Sequence, residues 1–356
     1  MQRIGIVGIG NISKIYLDNL TGMFAKRVKL TSVTDKIFER AQKAAEDYPV
    51  KVYKSADDMF KNGEVDLVLN ITQPKEHFEV ALAAVKAGKH VYNEKPLCTK
   101  REDAALVLKT AAENNVRVGG APDTFLGAGI QTCRKLIDDG WIGTPVAATA
   151  FMMGHGPEHW HPSPHFFYQD GGGPMFDMGP YYLTTLVSLF GQVSRVCGSA
   201  RISTPTRTIT NQIQPGELIN VEVPTHIAGV LDFAAGPVAT IVTSFDVYSH
   251  SCPWIEIYGT EGTLKVPDPN TFGGPVFAKR FREEKWSEIP LLKSYADNSR
   301  GLGLTDMAEA IDEDRPHRAS GDLAFHVLDI MHSIHEASES GKYLKLKSKC
   351  KKPAAL

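Results

Sequence analysis

The chain has 356 residues, of which 42% are hydrophobic and 22% charged, and its formal net charge is −2. This length is ample for two domains with buried cores, and the composition is that of an ordinary globular protein. Because the sequence has no basic block, no acidic tail and no apolar run long enough for a bilayer, we expect neither nucleic acid nor a membrane as its main partner.

The five cysteines are scattered along the sequence and never stand in Cys-x-x-Cys spacing. They therefore predict reduced thiols, with no disulfide framework and no bound metal. A strand predicted at residues 3–7 leaves little room for a signal peptide before it, so we expect a cytoplasmic protein.

The first strand is followed by a pattern typical of a dinucleotide-binding turn. GIGNIS at residues 8–13 is the G-x-G-x-x-G motif with serine in the last position. Its two glycines allow a tight turn and a close approach of the backbone to a pyrophosphate, which the free N–H groups of the next helix can bind. The cofactor contacts predicted in this turn are Gly8, Ile9, Gly10, Asn11 and Ile12.

Asp35 ends the second predicted strand, at residues 28–34. A carboxylate at this point accepts hydrogen bonds from the adenosine ribose of NAD and repels the 2′-phosphate of NADP. The pattern therefore favours NAD. Asp35 could also be a simple helix N-cap, and the two roles are compatible.

Strands and helices then alternate as far as about residue 120, which predicts a doubly wound parallel sheet in a first domain of residues 1–122. Within it, VYNEKPL at residues 91–97 ends a strand, since Pro96 cannot donate to a sheet ladder. Glu94 and Lys95 should lie just past the carboxyl end of that strand, where open α/β sheets bind ligands. There the ammonium group of Lys95 could stabilise a deprotonated substrate hydroxyl, although an ordinary surface lysine is the alternative.

The second domain is predicted to span residues 123–356 and to have an α+β fold with a largely antiparallel sheet. Strands follow one another without regular helices between them, at residues 193–199, 225–233, 238–245, 254–258 and 262–266. A helix predicted over residues 175–190 places Asp177 and Tyr181 four residues apart and hence on one face.

The loop at residues 154–170 contains four histidines, among them His161 and His165, together with several aromatic residues. The histidine spacing fits no common zinc pattern. A loop of this composition suits sugar hydroxyls and a stacked pyranose ring, and a solvent loop or a subunit contact is the alternative.

Taken in order, these motifs resemble those of one family. The glycine turn, NITQP at residues 70–74 with His77, EKP at residues 94–96, and GGG at residues 171–173 before Asp177 are similar to the Gfo/Idh/MocA oxidoreductases, the glucose–fructose oxidoreductase and inositol dehydrogenase group. The resemblance implies a Rossmann domain followed by an open-faced sheet domain, NAD or NADP as cofactor, and homodimers or homotetramers built through the sheet.

The resemblance also implies roles for individual residues. Lys95 takes the place of the catalytic lysine, whose peptide bond to the following proline is often cis in this family. Tyr181 stands where many members have a proton-transferring histidine, while other members have tyrosine there; core packing is the alternative for Tyr181. The implied catalytic residues are Lys95, Asp177 and Tyr181; further cofactor contacts are Asp35, Thr72, Gln73, Pro74, His77, Glu94 and Lys95; and substrate contacts are Lys95, Asp123, His161, His165, Asp177 and Tyr181.

The leading interpretation is an NAD-dependent dehydrogenase that acts on a secondary alcohol of a sugar, glycoside or cyclic polyol. Hydride passes to the nicotinamide, and the hydroxyl proton goes to Tyr181 or Lys95. One alternative is a glycoside oxidoreductase with a tightly retained cofactor. Another is a catalytically silent NAD-binding sensor, which would have no need of Lys95 or Asp177.

Overall fold

The computed structural model describes residues 1–356, which form two compact units. The first unit comprises Met1–Leu126 together with Asn298–Leu328. The second comprises Gly127–Asp297 together with Asp329–Leu356. Each unit is therefore built from two separate stretches of the chain.

The predicted domain boundary at residue 122 differs from this division, because residues 298–328 belong to the first unit. Gly120 N–H donates to the carbonyl of Ala319 over 3.1 Å, and Arg117 Nη1 donates to the carbonyl of Ala310 over 2.9 Å. Arg117 and Ala310 are 193 positions apart, so no local pattern in the sequence could predict that they meet.

The chain has ten α-helices, most of them in the places that the sequence predicts. Ser55 caps the third helix, because its hydroxyl accepts the N–H of Asp58 over 3.1 Å. The helices are α1 (Ser13–Thr21), α2 (Phe38–Asp47), α3 (Ala56–Asn62), α4 (His77–Lys86), α5 (Arg101–Glu113), α6 (Ala128–Asp138), α7 (Gly173–Asp177), α8 (Gly179–Phe190), α9 (Leu302–Asp312) and α10 (Gly321–Ser340).

The first unit contains a six-stranded sheet whose strands are all parallel. In chain order they are β1 (Arg3–Val7), β2 (Lys29–Thr34), β3 (Lys51–Val52), β4 (Leu67–Asn70), β5 (His90–Asn93) and β6 (Val118–Gly120). The spatial order is β3-β2-β1-β4-β5-β6, and every residue of β4 is buried. Continuous apolar strands of this kind belong to sheets covered on both faces, so the predicted doubly wound parallel sheet is confirmed.

The second unit contains a nine-stranded sheet and a two-stranded ribbon. The spatial order of the large sheet is β16-β15-β14-β13-β7-β12-β11-β8-β17, and only β7 and β12 pair in parallel, so the prediction of a largely antiparallel sheet is confirmed. The strands are β7 (Pro145–Met153), β8 (Val193–Arg201), β9 (Thr206–Thr208), β10 (Leu218–Asn220), β11 (His226–Phe233), β12 (Val238–Ser244), β13 (Ile255–Gly259), β14 (Gly262–Val266), β15 (Val276–Arg280), β16 (Ser287–Ile289) and β17 (Leu344–Lys345).

One face of this large sheet carries the core of the second unit. Buried residues of β11, such as Ile227 and Leu231, alternate with partly exposed residues such as Val230. Ile334 of α10 packs against Gly198 and Gly229, and every residue of α8 is buried. The opposite face of the sheet is only partly buried, which makes it the open face.

The fold has two further features that bear on function. None of its helices combines the length and the apolar character that crossing a membrane requires. No three histidine, cysteine, aspartate or glutamate side chains are grouped so that they could hold a metal ion together.

Candidate functional site

The loops that follow β1, β4 and β5 begin side by side at the carboxyl edge of the first sheet. Val7 pairs with Asn70, and Asn70 pairs with Asn93, so the three strands end level with one another. In the sheet, β2 lies on one side of β1 and β4 lies on the other, so the chain changes direction across the sheet at β1. The carboxyl edge between β1 and β4 is therefore the topological switch point, where such sheets bind ligands. The glycine turn, residues 72–74 and residues 94–96 therefore meet at one edge.

The glycine turn has the shape that a dinucleotide requires. Gly8 has a φ of +98°, and a Cβ there would lie 2.9 Å from the carbonyl oxygen of Ile71. A Cβ on Gly10 would meet no atom within 4 Å, so the space beside Gly10 is open to a ligand. No side chain caps the N-terminus of α1, and the N–H of Ser13 donates to the carbonyl of Gly10 over 3.1 Å, so a pyrophosphate would be bound by the other N–H groups of the first turn.

Asp35 is buried beside this turn and is fixed by two backbone groups. Its Oδ2 accepts the N–H of Ile9 over 2.6 Å, and its Oδ1 accepts the N–H of Ile37 over 2.7 Å. The second of these bonds closes a turn just before α2, whose N-cap is Ile37, so Asp35 is not the N-cap that the sequence offered as an alternative. Each carboxylate oxygen has a further lone pair that could accept a hydrogen bond from a ribose hydroxyl.

A groove of about 690 Å³ separates the glycine turn from α2. Gly10 and Asn11 line one side of it, and Arg40 and Tyr48 line the other. The groove also carries both acidic and basic side chains, so it has no single sign of charge. It provides room next to the turn where the sequence places the cofactor.

His77 does not face this ligand edge, contrary to the sequence prediction. Its side chain is 0% exposed, with Nδ1 2.7 Å from the carbonyl oxygen of Pro96 and Nε2 3.1 Å from that of Thr72. Both ring nitrogens are thus occupied by backbone groups of the two loops. The predicted cofactor contact of His77 is replaced by a structural role behind the loops.

Glu94 and Lys95 form a turn whose backbone is tied down by hydrogen bonds. Glu94 Oε1 accepts the hydroxyl of Tyr16 over 2.6 Å, and Glu94 Oε2 accepts the N–H of Lys95 over 2.8 Å. The peptide bond between Lys95 and Pro96 is cis, as the family resemblance implied. Both Glu94 and Lys95 are half-buried, so the turn presents their side chains at the edge of the sheet.

Asp123 also differs from its predicted role in substrate binding. Its Oδ2 accepts the N–H groups of Gly301 and Gly303, over 2.9 and 3.0 Å, at the start of α9. Burial raises the pKa of this carboxyl to about 6, although the two N–H groups act in the opposite direction. These bonds make Asp123 the cap of α9, and we leave it out of the proposed substrate site.

In the second unit, Asp177 and Tyr181 lie on two helices rather than on the single helix predicted over residues 175–190. Asp177 ends α7, and Tyr181 lies in the first turn of α8, with Met178 between the two helices. Pro180 explains the break, because it has no N–H to donate and its ring conflicts with the carbonyl four residues earlier. The argument that places both side chains on one helical face therefore no longer holds.

His161 lies in the aromatic loop close to Asp177. Burial lowers the pKa of the His161 imidazole, and the negative charge of Asp177 acts in the opposite direction. His161 Nδ1 accepts the N–H of Ser163 over 3.0 Å, so a neutral ring carries its proton on Nε2. The rings of His161 and Trp160 pack edge to face, with their centroids 5.3 Å apart.

His165, by contrast, is paired within the loop region. Its Nε2 lies 3.1 Å from Oε1 of Glu217, and both side chains are partly exposed. Trp160 and Phe166 are 60% and 42% exposed, so the loop presents aromatic surface to solvent. A substrate contact through His165 remains a prediction.

A buried ion-pair cluster that the sequence did not reveal anchors this loop. Arg207 Nη2 lies 2.6 Å from Glu158 Oε1, and Arg207 Nη1 lies 2.9 Å from Asp246 Oδ1. The hydroxyl of Tyr168 donates to Glu158 as well. Arg207 lies in the short strand β9, whereas Glu158 and Asp246 lie in loops, so no sequence pattern joins them and only the folded structure brings them together. The contact between Asn70 and Asn93 in the first unit was also missed, because it depends on how β4 and β5 pair.

Comparisons with known proteins agree with this architecture. Residues 2–120 match the model of the oxidoreductase family with an NAD-binding Rossmann fold, and residues 130–265 match the GFO/IDH/MocA C-terminal domain. The inositol 2-dehydrogenase 3 of Saccharopolyspora erythraea is 28% identical over 281 residues, which are 77% of this chain and 75% of that protein.

Two further proteins are similar over most of their length. The 1,5-anhydro-D-fructose reductase of Ensifer adhaerens is 27% identical over 274 residues, which are 74% of this chain and 75% of that protein. A crystal structure of an NAD-binding oxidoreductase from Klebsiella pneumoniae has a TM-score of 0.82 and 20% sequence identity, covering 98% of this chain and 99% of that one. This structural likeness shows that the fold is shared.

Proposed function

Because the chain belongs to the Gfo/Idh/MocA oxidoreductase family, we propose that it is a dehydrogenase that oxidises a secondary alcohol on a sugar, glycoside or cyclic polyol. The observation that carries this proposal is the edge of the first sheet, where the open glycine turn and the Glu94–Lys95 turn lie at the ends of neighbouring strands. One edge of the sheet thus provides a binding surface for a dinucleotide and also carries the ammonium group of Lys95, a cation for the reaction.

NAD, when bound, supplies the acceptor for the hydride that leaves the substrate carbon. Lys95 is assigned the stabilisation of the alkoxide charge that develops on the substrate oxygen. Tyr181 is assigned the acceptor of the hydroxyl proton, and Asp177 the orientation of the substrate hydroxyl. The alcohol thus loses a hydride and a proton and becomes a carbonyl.

We propose that NAD is preferred over NADP. Asp35 is held beside the glycine turn by the N–H of Ile9, so its carboxylate cannot turn away to make room for a 2′-phosphate. The nearby ammonium of Lys36 pairs with Glu76, which reduces its value as a counter-charge for a phosphate. Both features favour a free ribose hydroxyl at this place.

A carbohydrate or cyclic polyol is the proposed substrate class for two reasons. The relatives named inositol 2-dehydrogenase 3 and 1,5-anhydro-D-fructose reductase take their names from a cyclic polyol and a sugar derivative. The loop around His161 also offers a ring N–H next to the exposed faces of Trp160 and Phe166, a combination that suits hydroxyls on an apolar ring.

We further propose a homodimer or homotetramer that assembles through the open face of the large sheet. Partly exposed side chains such as Val230 and Val242 cover that face, and a second copy of the chain would bury them. All five cysteines are free, which suits the reducing cytoplasm that the sequence predicts.

The function is tested by incubating the protein and NAD with a panel of inositols, sugars and glycosides while NADH formation is followed. Turnover of at least one cyclic polyol or sugar is expected. Failure of every compound, with NAD still bound, would contradict the dehydrogenase and favour a silent NAD-binding sensor.

Lys95→Ala is the matched variant for this experiment. Removing one preorganised stabiliser of a developing oxyanion typically lowers kcat by about 10²–10³-fold, and we expect a loss in that range. The dissociation constant for NAD, measured by fluorescence, should be unchanged. Turnover at the unaltered rate would return Lys95 to the status of an ordinary loop residue.

A further inference from the structure

A group of polar side chains lies behind the Glu94–Lys95 turn, completely shielded from solvent. Asn70, His77 and Asn93 are each 0% exposed. Burying an amide or an imidazole is unfavourable unless its polar atoms find partners, so the hydrogen bonds of such residues show what the residues hold in place.

Asn70 links the loop after β4 to the end of β5. Its Oδ1 accepts the hydroxyl of Thr72 over 2.7 Å, and its Nδ2 donates to Oδ1 of Asn93 over 3.0 Å and to the carbonyl of His77 over 3.1 Å. The N–H of Thr72 also points to Asn70 Oδ1, over 3.3 Å. All four hydrogen-bonding positions of this amide are used, so its orientation is fixed.

Asn93 extends this link across the turn that carries Lys95. Its Nδ2 donates to the carbonyl of Leu97 over 2.9 Å, and so joins the residue before the turn to the residue after it. On the other side of the turn, the N–H of Glu94 donates to the carbonyl of Asn70 over 2.8 Å. The two ends of residues 94–96 are therefore both held by the same pair of asparagines.

His77 holds the middle of the turn. Its Nδ1 lies 2.7 Å from the carbonyl oxygen of Pro96, whereas its Nε2 lies 3.1 Å from that of Thr72. Burial lowers the pKa of His77, although the two carbonyls and the charge of Glu94 act in the opposite direction. Both partners are carbonyl oxygens, which can only accept, so a hydrogen bond to either one needs an N–H on the ring. The contact of Nδ1 is the shorter of the two, so we place a proton on Nδ1, from which it is donated to the carbonyl of Pro96.

We propose that His77 and Asn93 are positioning residues for Lys95. They bind the two carbonyls that directly follow it in the chain, at Pro96 and Leu97, and so fix where the ammonium group stands at the edge of the sheet. Neither residue reaches the substrate, and both act through the backbone. The inference rests on the proposed function, in which Lys95 stabilises the alkoxide.

Two variants of His77 separate positioning from simple stability. In His77→Asn the amide nitrogen occupies the place of Nδ1 and can still donate to Pro96. In His77→Gln the amide nitrogen reaches the place of Nε2, so the bond to Pro96 is lost while one to Thr72 is possible. Both variants replace the imidazole by a smaller amide, so a purely structural role would affect them alike.

We expect His77→Asn to retain kcat within about twofold and His77→Gln to lower it by about 10- to 100-fold, the range for a displaced catalytic group. The dissociation constant for NAD should be the same in both. Equal kcat values for the two variants, at either level, would overturn the inference.

His317 provides a matched control in the same unit. It is a half-buried histidine whose Nε2 lies 3.0 Å from the carbonyl oxygen of Val118. His317→Asn and His317→Gln should both leave kcat unchanged. A loss of kcat in these variants similar to that in His77→Gln would mean that any buried histidine of this unit has the effect, and the inference would be wrong.

A second measurement needs no substrate. Amide hydrogen exchange of the peptide that covers residues 94–98 should be faster than wild type in His77→Gln and unchanged in His77→Asn. If Lys95→Ala keeps full turnover, the proposed role of Lys95 fails, whereas the exchange experiment still reports on the turn. If Lys95→Ala loses turnover and the two His77 variants behave alike in both experiments, only the positioning role fails.

Discussion

The two units hold their candidate functional residues in opposite ways. In the first unit, Lys95 stands on a turn fixed by side chains that solvent does not reach, among them Asn70 and His77. In the second unit, His161 lies in a loop whose residues Trp160 and Phe166 are exposed to solvent. The buried ion pairs of Arg207 anchor this loop.

The difference follows from what each part is proposed to do. The alkoxide charge assigned to Lys95 develops at one oxygen atom, so the reaction gains from a cation that cannot move. An aromatic surface contacts rings through dispersion and is tolerant of their exact hydroxyl pattern. We therefore expect changes behind the Lys95 turn to affect the rate, and changes in the loop to affect stability and substrate choice.

Tyr181→Phe is expected to have the largest effect and tests the chemistry assigned to the second unit. The ring and its packing remain, so folding should survive while the proton acceptor is lost. General-base assistance typically contributes about 10²–10⁴-fold, or roughly 3–5 kcal/mol of barrier, and kcat should fall within that range. Steady-state kinetics and the thermal midpoint decide the matter. If activity is nearly complete in the variant, His161 becomes the next acceptor to test.

Arg207→Met tests whether the second unit depends on one buried cation. The substitution leaves Glu158 and Asp246 without their counter-charge, and losing one partner of a buried pair typically costs about 3–5 kcal/mol. Chemical denaturation should show a loss of that order, with faster proteolysis in the loop of residues 154–170. Arg195→Met is the control: Arg195 is 53% exposed and pairs with Asp232 on the surface. That change should cost no more than about 1 kcal/mol.

Asp123→Asn tests the buried carboxylate of the first unit. The folded protein raises the pKa of Asp123 from 3.8 to about 6, so between these values the folded state holds a proton that the unfolded state has released. Stability therefore falls as the pH rises from about 4 to about 6, by an amount of the order of 3 kcal/mol. Urea unfolding at both ends of this range should show the loss in the wild type but not in the variant. Parallel pH dependence in the two proteins would contradict the role of burial.

Asp35→Asn has the smallest expected effect and tests cofactor choice. Asparagine keeps an acceptor for the N–H of Ile9 but removes the charge that repels a 2′-phosphate. The ratio of the NADP and NAD dissociation constants should shift toward NADP by about tenfold, equivalent to 1.4 kcal/mol. Equal binding of the two cofactors by the wild type would already disprove the preference.

The sequence predicted those parts of the fold whose causes are local. The buried strands of the first sheet and the glycine turn follow from residues close together in the chain. The family resemblance added the cis bond after Lys95. The single helix predicted over residues 175–190 was wrong, although the cause of the break between α7 and α8 is local: Pro180 stands at the point where a continuous helix would need an N–H.

The rest depended on contacts between distant parts of the chain. Asn70 meets Asn93 because β4 and β5 pair in parallel, and sequence spacing alone does not give the register of two strands. Arg207 and Glu158 are 49 positions apart, one in the short strand β9 and the other in a loop, so no local pattern connects them. Asp123 looked like a cleft residue because its partners, Gly301 and Gly303, come near the end of the chain.

The late segment of the first unit has a consequence for biosynthesis. Residues 298–328 supply the N–H groups that Asp123 binds and the carbonyl that binds Gly120 at the edge of β6. A nascent chain that has just passed Leu126 has none of these partners, although the six strands are complete. All strands of the second unit's large sheet except β17 are synthesised before α9, the helix that Asp123 caps, leaves the ribosome. The part of the protein that is translated first is thus among the last to be finished, and a fragment of residues 1–126 should not be a stable substitute for it.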